Sequence, residues 1–385
     1  MNATSTYRYE LTTLDASIDA LRSMLPASEL LYSVKANPHP EVLRRSVEKG
    51  LSIEVSSHGE LALAIASGAV PRDIVCTGPG KSDEYLKLAC DSGSCVSVES
   101  MDEIDRLNAL YAATPARLLL RINASRRSSK ARLQMTGVAS QFGVDEEQAH
   151  DAVKTIHHGP HSFVGVHLYM GSNVDEEDAL FEQFQIGIEL AASFETYATD
   201  RFTVDLGGGF GHPFARPGER PMWPGLRERL QEVLGAHENW NVAFESGRYI
   251  ASACGTLTMH VREVKWSKGI RFAIASSGVN HLGGLAGLRR IPPVRAQAAA
   301  DAGFDTTETT RLAGPLCTPV DMLNPLFDGA CDVGDEIVIP NVGAYGLNAS
   351  LANFLGHPYP VEQVTDGGEI VSTTRLTTIR EEVTP

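Results

Sequence analysis

Lys35 closes an apolar run in YSVKANPHP. An ammonium group at such a place is costly to bury unless it is paired, deprotonated or covalently linked. A Schiff base would meet the last condition, and a solvated lysine just past a strand end is the plain alternative. The run DLGGGFG (205–211) holds more glycines than packing requires. Backbone N–H groups left bare by glycine can approach a phosphate. The run lacks G-x-G-x-x-G spacing and no P-loop lysine follows it, so a tight turn explains it equally well. FESGR (244–248) sets Glu245 three residues before Arg248. A carboxylate can keep a pyridinium nitrogen protonated and an arginine can bind phosphate, whereas an ordinary Glu–Arg pair in a turn asks for neither. GPLCTPVD (314–321) carries Cys317 and Asp321, and VGAYGLNAS (342–350) carries Tyr345. A buried small hydrophobe and a core aromatic are the ordinary readings of those two residues.

The elements that must position these groups follow a βα rhythm. Short β-rich runs occur at 30–35, 51–56, 73–78, 95–100, 117–123, 163–170, 201–207 and 241–247, most of them followed by an amphipathic helical stretch. Eight such strands in about 220 residues predict a (β/α)8 TIM-like barrel of the α/β class over 10–251. Chemistry in such a barrel gathers at the C-terminal ends of the strands. Lys35, Glu54, Arg121, His167, Tyr169, Gly207 to Gly209 and Glu245 all fall there. From 252 to 385 the sequence turns β-branched and turn-rich, which predicts a mainly antiparallel β-domain, a sandwich or barrel to which residues 1–9 can add. The polar, basic segment 124–140 reads as a loop between the fifth and sixth strands.

The chain has 385 residues, 43% hydrophobic and 21% charged, enough for two cores. A formal charge of −15 argues against nucleic acid or an anionic membrane as partner and leaves a small molecule. The six cysteines include no C-x-x-C pair and no histidine at metal-ligand spacing, so reduced thiols and no metal are expected. The N-terminus lacks a signal-peptide pattern and no stretch reaches the roughly 18 apolar residues of a membrane span, which places the expectation in the cytoplasm.

Taken in order, YSVKAN, SSHGEL (56–61), HLYMGS (167–172), DLGGGFG, ESGR and GPLC resemble the motifs of the fold-type III pyridoxal-phosphate decarboxylases, the group of diaminopimelate, ornithine and biosynthetic arginine decarboxylases. The resemblance runs from about Tyr7 to the C-terminus. It implies an alanine racemase-like fold, pyridoxal 5'-phosphate as cofactor, and a homodimer with active sites shared between subunits. It further implies that Lys35 forms the Schiff base, that Glu245 meets the pyridine nitrogen, and that Ser172, Gly208, Gly209, Arg248 and Tyr345 hold the phosphate. Glu54 and Tyr169 complete the cofactor set, Cys317 is the proton donor, and Arg121, Thr318 and Asp321 face the substrate.

Three departures from the family pattern stand out. Tyr169 occupies the place of a histidine that stacks on the cofactor, and its π face can still stack. Ser246 replaces a proline. Thr318 replaces an acidic residue that binds a distal amine in the diamino-acid members, so a cationic tail is not expected on the substrate. The Y-x-G-S and G-P-L-C-T-P pattern is similar to decarboxylases of secondary metabolism that act on amino acids conjugated to citrate or tethered to an acyl carrier protein. Arg126, Arg127, Lys130 and Arg132 then offer charges to carboxylates or a phosphopantetheine arm, or form a merely solvated basic loop. Asn280, His281 and the glycine-rich stretch to Gly287 are further substrate-side candidates. The competing expectations are a diaminopimelate-type decarboxylase of free amino acids, an amino-acid racemase, and a non-catalytic homologue. The last would be expected to lose the lysine or cysteine, and both are present.

Overall fold

The computed structural model describes residues 4–110, 115–126, 133–134, 139–198, 201–283, 295–299 and 305–382. Eight parallel strands, Glu29–Ser33, Ser52–Val55, Ile74–Cys76, Cys95–Val98, Arg117–Asn123, Ser162–His167, Phe202–Asp205 and Trp240–Ser246, pair in that order, and the eighth pairs back onto the first. The sheet is therefore closed. Ser52–Val55 and Cys95–Val98 are buried at every position, as expected where helices cover the outside and side chains fill the inside. Helices follow the first seven strands, from Pro40–Glu48 to Leu226–Leu234.

Local sequence explains how two of these helices begin next to candidate site residues. Pro40 sits at the first position of its helix and the His39 side chain accepts from the N–H of Glu41, starting the helix just beyond Lys35. Ser57 accepts from the N–H of Glu60 and starts His58–Ala66 just beyond Glu54. Glu60 in turn accepts from the N–H of Ser56 at 2.7 Å, so SSHGEL is a helix start as much as a site motif.

The chain divides into two compact units. One comprises Ile18–His212 and Pro221–Ile250 and contains the barrel. The other comprises Met1–Ser17, Pro213–Arg220 and Ala251–Pro385. In this second unit Gly255–Ser267 pairs antiparallel with Thr6–Glu10, Ile270–Ala275 and Glu336–Ile339. Thr6–Glu10 runs parallel to Val361–Asp366, and Asp305–Ala313 runs parallel to Ile270–Ala275 and antiparallel to Met322–Ala330. The result is an eight-stranded, mainly antiparallel sheet. No helix among the described residues is long and apolar enough to cross a membrane.

Candidate active site

The first barrel strand stops at Ser33, and Val34–Ala36 makes one 3-10 turn that carries Lys35 out of the sheet. Its Nζ donates to both oxygens of Glu54, at 2.9 and 2.7 Å. The Lys35 side chain is 39% exposed and that of Glu54 only 1%, so the amine is reachable while its partner is not. Glu54 also accepts from Ser56 at 2.9 Å and from Thr77. Burial works against its charge, but the Lys35 ammonium, with the Thr77 and Ser33 hydroxyls, holds its carboxyl below the usual range.

Strand register builds the floor of the site. Arg121 lies opposite His167, His167 opposite Asp205, and Asp205 opposite Ala243, with Glu245 two residues farther on the same face. The imidazole of His167 and the carboxylates of Asp205 and Glu245 lie within 4.8 Å of one another, all buried. His167 Nδ1 meets Ser97 Oγ at 2.8 Å. His167 Nε2 and Glu245 Oε1 are 3.5 Å apart, and neither has a hydrogen-bond partner; the same holds for Asp205 Oδ2. Burial, then the neighbouring Asp205 and Glu54, push Glu245 well above the usual carboxylate range. Burial likewise pushes Asp205 up to about 7. Burial, reinforced by Arg121, Lys35 and Lys81, holds His167 well below its ordinary value. The floor therefore favours neutral groups until a cation arrives beside Glu245.

Arg121 is committed rather than free. Its Nη1 donates to the buried Glu99 at 2.8 Å, and its guanidinium lies 4.9 Å from the Phe142 ring and 5.9 Å from that of Tyr169. Glu99 also accepts from the N–H groups of Gly78 and Gly143. A second buried pair, Lys81 with Glu103 at 2.8 Å, supports this layer, because the other Glu103 oxygen accepts from the Glu99 N–H. The expected sixth strand (163–170) ends at His167, which leaves Tyr169 in the loop that follows. Its hydroxyl meets Ser172 Oγ at 3.0 Å.

The glycine run is shaped by Asp205, whose Oδ1 accepts from the N–H of Gly207 at 2.8 Å. Gly207 and Gly209 adopt φ of +65° and +102°. A Cβ on Gly207 would stand 2.5 Å from the carbonyl of Leu168 and 2.8 Å from the Tyr169 ring, so glycine here makes room for the tyrosine. Gln183 fixes the turn from behind by donating to the carbonyl of Gly208 at 2.7 Å. Arg248 opens the short helix Arg248–Ala251, and Ser246 is buried before it.

In the other unit, Cys317 is exposed while the remaining five cysteines are buried. Thr318 is half-buried. Asp321 differs from the expectation of a residue turned toward substrate. Its carboxylate is buried, and its oxygens accept from the N–H groups of Val279 (2.8 Å) and Leu316 (2.7 Å). Asn280 and His281 are buried too, tied to each other at 3.1 Å, with His281 Nδ1 on Ser277 at 2.9 Å. Tyr345 holds φ of 58°, a conformation costing an aromatic residue on the order of 1–3 kcal/mol and characteristic of constrained sites. Arg126 is exposed and paired with Glu189 at 2.6 Å. Arg127, Lys130, Arg132 and Gly287 lie outside the described residues.

The sequence assigns no role to Ser97, Asp205 or Gln183, and it places His167 at a strand end and at the head of the HLYMGS motif without a stated role. The available signal for Asp205 is its place at the head of DLGGGFG, two residues before Gly207. Nothing in the sequence pointed to Ser97 or Gln183.

A closed parallel barrel with charged strand ends, carried in one chain with a mainly antiparallel sheet, is the architecture of the alanine racemase-like barrel enzymes. The chain belongs to the pyridoxal-dependent decarboxylases. The family's pyridoxal binding domain matches residues 11–252 and its C-terminal sheet domain residues 248–343. The chain is 32% identical to the L-glutamyl-[BtrI acyl-carrier protein] decarboxylase of Niallia circulans, over 94% of this chain and 89% of that protein. It is 29% identical to the 2-[(L-alanin-3-ylcarbamoyl)methyl]-2-hydroxybutanedioate decarboxylase of Staphylococcus aureus, over 92% of each. The crystal structure of Helicobacter pylori diaminopimelate decarboxylase complexed with L-lysine superposes with a TM-score of 0.82 at 23% identity, covering 95% of this chain and 92% of that one, and shows the fold.

The protein is thus a pyridoxal-phosphate-dependent decarboxylase of amino-acid-like substrates. Its barrel residues fit the cofactor on one structural ground: Glu245 Oε1 is a buried acceptor without a donor, as a protonated ring nitrogen requires. At Gly208 and Gly209 a Cβ would stand 2.2 Å from the Glu245 carbonyl or 2.7 Å from that of Gly171, so these glycines serve the close approach of backbone segments.

Proposed function

We propose that this enzyme removes the α-carboxylate from an amino acid whose distal end is conjugated, as an aminoacyl group on an acyl carrier protein or an amino acid joined to a polycarboxylate. One observation carries the reading. The Cys317 loop offers no free carboxylate to a distal amine, because Thr318 is uncharged and both oxygens of Asp321 are engaged by backbone N–H groups. The two relatives named for conjugated substrates support it.

In this reading Lys35 holds the cofactor covalently through its amine, and Glu54 orients that amine. Pyridoxal phosphate supplies the electron sink for the pair of electrons left when CO₂ departs. Glu245 keeps a proton at the ring nitrogen, and Gly208, Gly209, Ser172, Arg248 and Tyr345 receive the phosphate. Tyr169 offers its ring face, backed by Arg121. Cys317 gives a proton to the carbon that lost the carboxylate. Two chains form a homodimer in which each supplies its Cys317 to the other's site.

The test is CO₂ release by the cofactor-loaded protein from glutamyl-carrier protein and citrate-conjugated amino acids, set against free diaminopimelate, ornithine and glutamate. Turnover of a conjugate with the higher kcat/KM is expected. Diaminopimelate as the better substrate would overturn the substrate class. Solvent deuterium entering Cα without CO₂ loss would make the activity that of a racemase. Mixing inactive Lys35→Ala chains with Cys317→Ala chains, which turn over but form little amine, should restore amine formation if the sites are shared.

A further inference from the structure

We infer that Asp321 is a positioning residue that sets the conformation of the loop carrying Cys317, and that it is not a substrate ligand. Its link to the reaction rests on the proton-donor reading of Cys317 given above. Its link to the loop rests on geometry.

Four hydrogen bonds converge on Asp321. Its carbonyl accepts from the N–H of Gly314 at 3.1 Å and its own N–H donates to the carbonyl of Thr318 at 3.2 Å. Its Oδ2 accepts from Leu316 at 2.7 Å, and its Oδ1 reaches outside the loop to Val279 at 2.8 Å. The bond to Leu316 acts one residue before Cys317, and that to Val279 fastens the loop to the neighbouring segment 276–282. Thr318 adds a turn bond to the carbonyl of Leu316 at 2.8 Å, closing the backbone on both sides of Cys317.

The packing is arranged around this carboxylate. A Cβ on Gly278 would stand 2.1 Å from Asp321 Oδ1. A Cβ on Gly314 would stand 2.4 Å from Oδ2 and 2.3 Å from the Gly278 Cα. Two glycines from two segments thus make space for one buried acid. The anchoring segment is itself tied down, since Gly278 N–H donates to Asn280 Oδ1 at 3.1 Å, Ser277 pairs with His281 and Ser5, and Tyr7 Oη donates to the His281 carbonyl at 2.6 Å. Leu316 is buried at the base of the loop, whereas Cys317, Pro319 and Val320 project from it. A carboxylate that is buried, walled in by Gly278 and Gly314 and bonded to two backbone donors presents little surface to a substrate ammonium, but it is well placed to fix where a neighbouring thiol points.

The experiment uses holoenzyme of the wild type, Asp321→Asn, Gly314→Ala, Cys317→Ala and the Cys317→Ala/Asp321→Asn double variant. The first readout is the rate at which iodoacetamide alkylates Cys317, followed by mass spectrometry. The second is the ratio of amine product to carbonyl product, the latter released when the proton is not delivered to the substrate carbon and the amino group is left on the cofactor, measured on the best substrate with kcat and KM separated. Asp321→Asn and Gly314→Ala should each change the alkylation rate several-fold and lower the amine fraction with little change in KM. The double variant should be no worse in amine fraction than Cys317→Ala alone. A raised KM with unchanged alkylation and product ratio would make Asp321 a substrate ligand and overturn the inference. If Cys317→Ala leaves the product ratio unchanged, the proton-donor reading falls, and the alkylation rates alone decide the role of Asp321. In the unmodified holoenzyme the Val279 and Leu316 amides should exchange slowly with solvent, and fast exchange at both would also overturn the inference, whatever the variants' ability to fold.

Discussion

The barrel floor and the Cys317 loop both bury acidic groups, and they satisfy them in opposite ways. In the loop every oxygen of the Asp321 side chain accepts a backbone N–H, so the acid is structural. On the floor Asp205 uses one oxygen to shape the glycine turn and leaves the other unpartnered, in a buried cluster with Glu245 and His167. Burial pushes the proton affinity of both acids up; on Asp321 the two backbone N–H groups work against that shift and fix the geometry, whereas the unpartnered oxygen on the floor can respond to an incoming charge. The same residue type is thus a clamp in one unit and a site component in the other, and the count of its donors tells which.

The comparison can be broken or sharpened by substitution, from large effects to small. Lys35→Ala should remove the cofactor's lysine-linked absorbance and lower kcat/KM by about 10⁴-fold, the upper scale for a positioned catalytic group; spectra and steady-state kinetics check both. Glu99→Gln should lower stability by about 3–5 kcal/mol, because it leaves Arg121 buried without its counter-charge. Denaturant unfolding measures it, and a neutral result would make that layer dispensable.

Asp205 makes a pH prediction whose sign follows from its raised value. A carboxyl pushed up to about 7 in the folded cofactor-free protein, against an ordinary value of 3.8, favours folding most below the ordinary value. That contribution fades as pH rises through about 7. At 1.36 kcal/mol per unit it amounts to at most about 4 kcal/mol, and Asp205→Asn should abolish this part of the pH dependence in thermal unfolding of the cofactor-free protein. Glu245→Gln should lower kcat/KM by about 10²-fold through loss of a preorganised charge, with KM for substrate little changed. At the small end, Ser57→Ala removes one helix cap and should cost about 1 kcal/mol, seen as a modest fall in Tm.

Much of this architecture was legible in the chain. Eight β-rich runs gave the barrel, and their ends gave Lys35, Glu54, Arg121 and Glu245. Boundaries were less legible. The strand expected to continue to residue 170 stops at His167, because the chain there turns away toward Gly171–Ser172, which pairs with Leu133–Gln134 instead of the barrel. The same limit applies to Arg121 and Asp321. Their residue types suggested substrate contacts, but their partners, Glu99 for one and the N–H groups of Val279 and Leu316 for the other, come from other parts of the chain.

By itself the sequence determined the order of elements, the motifs and the absence of an acidic residue at position 318, since these are properties of local pattern and residue identity. Only the tertiary structure decided that Arg121, His167 and Asp205 stand level across three neighbouring strands with Glu245 beside them. Register in a closed parallel sheet is set by the pairing of every strand with its neighbours, not by any one strand's residues. Burial then adds what no motif encodes, by withholding water from that cluster and shifting the proton affinities of His167, Asp205 and Glu245 together.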